Sequence, residues 1–218
     1  MTGETASLDS LRQVLAPALA DAAVWDGWSE TAVRHAASAS GIDPDAAAFA
    51  FRDGAMSMIE AWVHTIDHGM AESLPVEALA PMKIRERIRA LVQFRLDAVA
   101  PHREALRRAL SIMAMPQNTR RAMKLGWSSA DAMWRLAGDT ATDYNHYTKR
   151  MTLASIYAAT LAVFANDESE GQAETRAFLD RRIDGVMRFE KAKARVLRPR
   201  EQMFSPTRLL GRLRYPAR

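Results

Sequence analysis

Cysteine is absent from the 218 residues, which excludes disulfides, thiolate metal sites and cysteine nucleophiles and fits a reducing compartment. Glycine (10) and proline (9) are scarce beside abundant Ala, Leu, Arg and Met, so the composition favours helices with few interruptions. No stretch alternates β-branched and polar residues between turn signals, so no strand is expected. Long apolar runs are missing too. The longest uncharged run of note, Met151 to Phe164, has 14 residues, short of the roughly 18 needed to span a bilayer. The first residues lack the basic flank and apolar stretch of a signal peptide, so a cytoplasmic protein is expected, peripheral on the inner face of the cytoplasmic membrane. Lysine is absent from residues 1–80, which carry three Arg and 12 acidic residues, a net of −9. Residues 81–218 carry 27 basic and 14 acidic residues, a net of +13, so the two ends should face different partners.

With 48% apolar residues the chain can build a core, and helical periodicity organises it. Helices are expected over 8–24, with Leu8, Leu11, Leu15, Ala18 and Leu19 on one face, and over 29–38, capped by Ser29. A third runs over 43–51, with Asp43 as cap and Pro44 in the first turn, and a long one over 54–72. After a linker at 74–81, helices follow at about 82–99, 102–113, 118–138, 143–166 and 172–196. Three short helices followed by a long one resemble the head of tetracycline-repressor-type regulators, whose second and third helices form a helix-turn-helix. The expected fold is all-α, with nine to ten helices. Residues 1–75 are expected to form a degenerate helix-turn-helix head, 76–196 a helical body and 197–218 a basic amphipathic tail.

Charge argues against DNA binding. Phosphate neutralisation needs Lys and Arg, and base reading needs Arg, Asn or Gln. The would-be recognition helix, Asp43 to Phe51, offers two carboxylates, no cation and no amide. No nucleic-acid partner is expected, although a ligand-responsive regulator is the alternative in that class.

No phosphate loop, nucleophile elbow or zincin motif is present, so no enzyme is expected and no cofactor is implied. Glu60, His64 and His68 share a helix face, which makes a metal site conceivable. Without a fourth ligand the pattern reads better as an exposed polar stripe. The uncharged run is more informative. A helix apolar on all sides must be surrounded. Its small residues leave room beside Met113, Met115, Met133, Trp134, Leu153, Ile156, Tyr157, Leu161 and Phe164, a candidate wall for an apolar ligand. In the tail, Leu209, Leu210 and Leu213 form one face with Phe204 adjoining, while Arg208 and Arg212 lie opposite. On an anionic bilayer that face can be buried, each Arg adding about 1 kcal/mol.

The segments Arg108-Ala-Leu-Ser-Ile-Met-Ala-Met-Pro-Gln-Asn118, Met133-Trp134, Ala137-Gly-Asp139, Thr142-Asp-Tyr-Asn145, Tyr147-Thr-Lys-Arg150, Leu153-Ala-Ser-Ile-Tyr157 and Asp180-Arg-Arg-Ile-Asp184 resemble, in that order, the coenzyme-Q-nine family. The similarity covers roughly 8–193. It implies a tetracycline-repressor-like fold that binds isoprenoid lipid or quinone intermediates, touches a phospholipid membrane and commonly forms a homodimer. The protein would present substrate to the di-iron hydroxylase of the demethoxyubiquinone step in ubiquinone biosynthesis. The partner-binding patch implied by the resemblance maps to Asp131, Met133, Asp143, His146 and Tyr147, with His146 standing where the eukaryotic pattern has Trp. A structural membrane tether with a filled core is a further alternative.

Overall fold

The computed structural model describes residues 8–140 and 144–196, with side chains described for 8–140 and 146–188. Asp143 and the expected membrane-contact residues Phe204, Arg208, Leu209, Leu210, Arg212 and Leu213 lie outside the described residues.

Local chemistry sets the helix ends. α1 (Leu8–Asp26) stops at Gly27, whose φ of +68° suits glycine. Arg108 donates from Nη1 to the carbonyl of Trp25 at 3.1 Å, capping α1 from a distant helix. α2 (Glu30–Ala39) starts where the Ser29 hydroxyl accepts from the Ala32 N–H at 3.3 Å. α3 (Pro44–Ala50) starts where Asp43 accepts from the Ala46 N–H at 3.1 Å. α4 (Ala55–Ser73) follows Gly54. The expected linker contains a single helical turn, α5 (Val76–Leu79), nucleated after Pro75 and anchored by fully buried Leu79. α6 (Ile84–Val99) opens with Glu86 accepting from the Lys83 N–H at 3.0 Å. α7 (Arg103–Met113) and α8 (Thr119–Leu136) are separated at Pro116, where a helical N–H is missing. α9 (Tyr144–Phe164) and α10 (Ala173–Val196) complete the described helices, and no strand occurs among the described residues.

The buried face of α1 is Leu15, Ala16, Leu19, Ala20 and Ala23, whereas Leu8 is 39% exposed. The expected leucine stripe thus shifts toward alanines, whose small side chains let α1 pack closely against α2 and α4. α4 reaches onward to α6, α7 and α8, and α8 lies along α9. Ile59, Met70, Leu91, Leu96 and Met133 are all fully buried among these helices. Truncating such a side chain to alanine costs about 2–5 kcal/mol.

Two guanidinium groups join elements distant in sequence. Arg87 donates to the carbonyls of Ala80 at 2.7 Å, Met82 at 2.9 Å and Ala137 at 2.8 Å, tying the α5–α6 turn to the end of α8. Gly138 follows with φ +87°, and a side chain there would press within 3.1 Å of Arg87. Arg95, 1% exposed, pairs with Asp67 of α4, donates to Ser129 Oγ of α8 at 3.1 Å, and lies 4.8 Å from the Tyr157 ring of α9. The described residues up to Arg181 form one compact unit and those from Arg182 a second. No described helix is long and apolar enough to cross a membrane.

Candidate functional site

α9 was expected to be surrounded because it is uncharged from Met151 to Phe164. Instead one stripe of it is open: Met151 is 61% exposed, and Ser155, Ala158 and Ala162 are exposed along the same side. Their short side chains put little apolar area in water, which makes the exposure tolerable. The opposite side carries Leu153, Tyr157, Leu161 and Phe164, all buried.

Those four join Met133 in the interior, so five of the nine candidate lipid-wall residues are buried together. Trp134, Ile156 and Met113 are half-buried, and Met115 sits in the α7–α8 turn with 43% of its surface exposed. The Trp134 indole donates to the Lys149 carbonyl at 3.0 Å, and its ring lies 5.4 Å from the Lys149 ammonium. A shallow depression of about 390 Å³ opens elsewhere, where Val163 meets Ala173, Ala177 and Phe178, with Glu174 and Arg181 at its edge.

The start of α10 beside it is fixed by Asp167. Burial pushes this carboxyl's pKa upward, but hydrogen bonds from the hydroxyls and backbone N–H groups of Ser169 and Thr175 together outweigh burial. The carboxyl is therefore held well below the usual carboxylate range. Its four bonds measure 2.5–2.8 Å.

The candidate partner patch lies across α8 and α9. Arg150, 2% exposed, donates to Asp131 at 2.5 Å and to Asp139 at 3.0 Å, and also to the His146 carbonyl at 3.1 Å. Arg135 takes the second oxygen of Asp131 at 2.7 Å, and Lys149 the second of Asp139 at 2.6 Å. Both carboxylates are thereby neutralised, and Arg150 of α9 is tied to Asp131 of α8 and to Asp139. Above this network stand three rings. His146 and Tyr147 meet edge to face at 5.2 Å, and Trp127 lies 6.4 Å and 5.9 Å from them. The structure thus groups Asp131, His146 and Tyr147, whereas Met133 of the same expected set is fully buried.

Trp127, Arg150 and the Arg95–Asp67–Ser129 cluster were not among the sequence candidates. Helical spacing could have found Trp127, which falls on the α8 row of Arg120, Met123, Lys124 and Asp131. The buried ion pairs join residues 11 to 28 positions apart and carry no local signature. At the polar stripe, Arg121 engages Glu60 through two bonds of 2.9 and 2.7 Å, and His68 faces Glu72 at 3.3 Å.

Residues 119–190 match the COQ9 family model. The ubiquinone biosynthesis protein COQ9, mitochondrial, of Rattus norvegicus is 34% identical over 167 residues, 74% of this chain and 54% of that protein. The protein of the same name from Homo sapiens is 32% identical over 168 residues, 74% of this chain and 52% of its own length. The chain spans about half the length of the curated relatives it matches. The crystal structure of a TetR transcriptional regulator from Nitrosomonas europaea ATCC 19718 superposes with a TM-score of 0.64 at 22% identity, covering 81% of this chain and 97% of that one. This likeness establishes the tetracycline-repressor-like, all-α fold and nothing about function.

Proposed function

Because this chain belongs to the COQ9 family, we propose that it serves ubiquinone biosynthesis as a non-catalytic protein that binds isoprenoid lipid or quinone intermediates and presents them to a membrane-associated ring hydroxylase. The observation that carries this reading is the α8–α9 face, where rings stand beside Asp131 and Asp139, each paired with two cations. Such a face is built to be covered, and its ionisable groups are committed to holding shape rather than to moving protons.

A quinone with a long isoprenoid tail is held in a bilayer by about 25 cal/mol per Å² of buried apolar surface. A protein that offers its own apolar wall at the membrane lowers the cost of moving the head group to an active site. Met133, Leu153, Tyr157, Leu161 and Phe164 fill the interior, so a ligand chain enters by displacing them. Methionine adapts to that readily. The depression at Val163 and Phe178 is of ligand size. In this reading residues 1–75 are a packing head, 76–196 the lipid-binding body and 197–218 the membrane contact. The membrane seat is the inner face of the cytoplasmic membrane, while the relatives compared above carry mitochondrial names. The open stripe of α9 fits a second copy of the chain.

A ligand-responsive regulator is disfavoured by the exposed surface of α3, which offers Asp43, Asp45 and Phe49 to phosphates. The test is mass spectrometry of organic extracts from the purified protein. Co-purifying isoprenoid or phospholipid is expected, and repeated absence would favour a plain membrane tether. Flotation with anionic liposomes, before and after removal of residues 197–218, checks the tail. Equal flotation would discredit it.

A further inference from the structure

We infer that the α5 turn and the start of α6 form a membrane contact of their own, a rigid apolar wedge that enters the interface of an anionic phospholipid bilayer. This rests on the membrane role proposed above and adds to it a site distant in sequence from the tail. From Pro75 to Arg85 the chain has no Ser, Thr, Asn, Gln or Gly, the residues from which water-facing turns are ordinarily built. Every position in that stretch except Leu79 is nonetheless exposed. Val76 is 45%, Met82 38% and Ile84 40% exposed, with alanines and a proline between the first two. Contiguous apolar surface of this kind marks a contact site. The backbone beneath it is fixed. Leu79 is fully buried, the Met82 N–H donates to the Leu79 carbonyl at 3.0 Å, and Arg87 donates to the carbonyls of Ala80 and Met82 at 2.7 and 2.9 Å. Side chains carried on a fixed backbone lose little freedom when they are buried by a partner.

Charge and size name the occupant. Lys83 and Arg85 alternate with Met82 and Ile84, and Arg87 directs its donors to three carbonyls, which leaves its charge in place. Against these cations stand Glu77 and Glu86. Asp139, which lies two residues beyond the Ala137 carbonyl, is held by Lys149 and Arg150. The balance is positive, and it complements lipid phosphates. Lys and Arg beside apolar residues lay their stems along hydrocarbon and leave their charged ends at the headgroups. A stable protein interface takes roughly 20–30 residues a side, far more than one turn and one helix start supply. A bilayer sets no such minimum, because binding to it scales with whatever apolar area enters plus the charge attracted.

Because the chain has no cysteine, a single labelled one reports on a single position. Met82→Cys in the full chain, carrying the environment-sensitive dye NBD, should shift its emission to the blue when vesicles of phosphatidylglycerol and phosphatidylcholine are added. Nitroxide-labelled lipid in those vesicles should quench it. The same dye at Ser38→Cys, exposed on α2 of the acidic head, should do neither. The double variant Met82→Asp, Ile84→Asp should lower vesicle partitioning by about tenfold or more, and Met82→Leu should retain it. Lys83→Glu should lower partitioning more at low salt than at high salt. Thermal melts confirm that each variant is folded. If the chain does not bind these vesicles at all, the membrane role proposed above and this inference both fail. If it binds, with dye at Leu210→Cys quenched and dye at Met82→Cys still in water, the inference alone fails. If the double variant changes the mass found by light scattering and leaves partitioning intact, the patch seats a second copy of the chain and the inference is overturned.

Discussion

Single side chains hold this fold at a few polar points. Asp167 is bound by four donors and its pKa is depressed, so it contributes stability at pH values above that of an unfolded Asp, about 3.9. That contribution is lost as pH falls through the folded value. Asp167→Asn should therefore lower the urea midpoint at pH 7 and make its decline below about pH 4 shallower than in the wild type. Arg150 is the second point. Arg150→Met takes the buried guanidinium away from Asp139, 5% exposed, and from Asp131, leaving Lys149 and Arg135 paired with them. A loss of about 3 kcal/mol is expected by chemical denaturation, the scale for breaking a buried pair from one side. The sequence disclosed the local residues of this kind. Ser29 and Asp43 are caps because the backbone N–H groups they accept from lie three residues away, within one turn. Arg150 was hidden, since nothing at residue 150 indicates that α8 and α9 close around it.

Helices were legible because their periodicity and stops are both local. The breaks at Gly27, Pro116 and Gly138 fall where glycine or proline stands. The turn of helix at Val76–Leu79 was missed because four residues cannot display a period. α9 was misjudged for a different reason: an uncharged sequence does not distinguish a buried side from one built of small residues. If the open stripe of α9 seats a second copy, Ala158→Asp should leave the helical circular dichroism signal intact, with a helix-propensity cost below about 1 kcal/mol. The same variant should shift the mass found by light scattering from dimer to monomer. An unchanged mass would remove α9 from the interface.

At the scale of the molecule, charge separates the two ends. Residues 1–80 carry a net of −9, and the exposed side of α3 offers Asp43 and Asp45, with Arg52 drawn over the Phe49 ring at 4.6 Å. Fluorescence anisotropy with duplex DNA at 50 mM salt should show no salt-sensitive binding, whereas even non-specific DNA binders gain affinity steeply as salt falls. The fold was legible as a sequence of helices, but the assembly of the α8–α9 face was only half so. His146 and Tyr147 lie beside conspicuous motifs, while Trp127 became part of the site only when α8 was laid along α9.

The three bonds from Arg87 have a consequence for how the chain can vary. All of its acceptors are backbone carbonyls, at Ala80, Met82 and Ala137. The exposed side chains at 80 and 82 are therefore free to drift without loosening the joint, whereas Ala137 is confined by burial and position 87 tolerates only a planar, multiply donating group. Arg87→Lys should expose the Leu79–Lys83 turn to limited proteolysis. Among related chains, then, the hinge between α5 and α8 would be inherited through one codon.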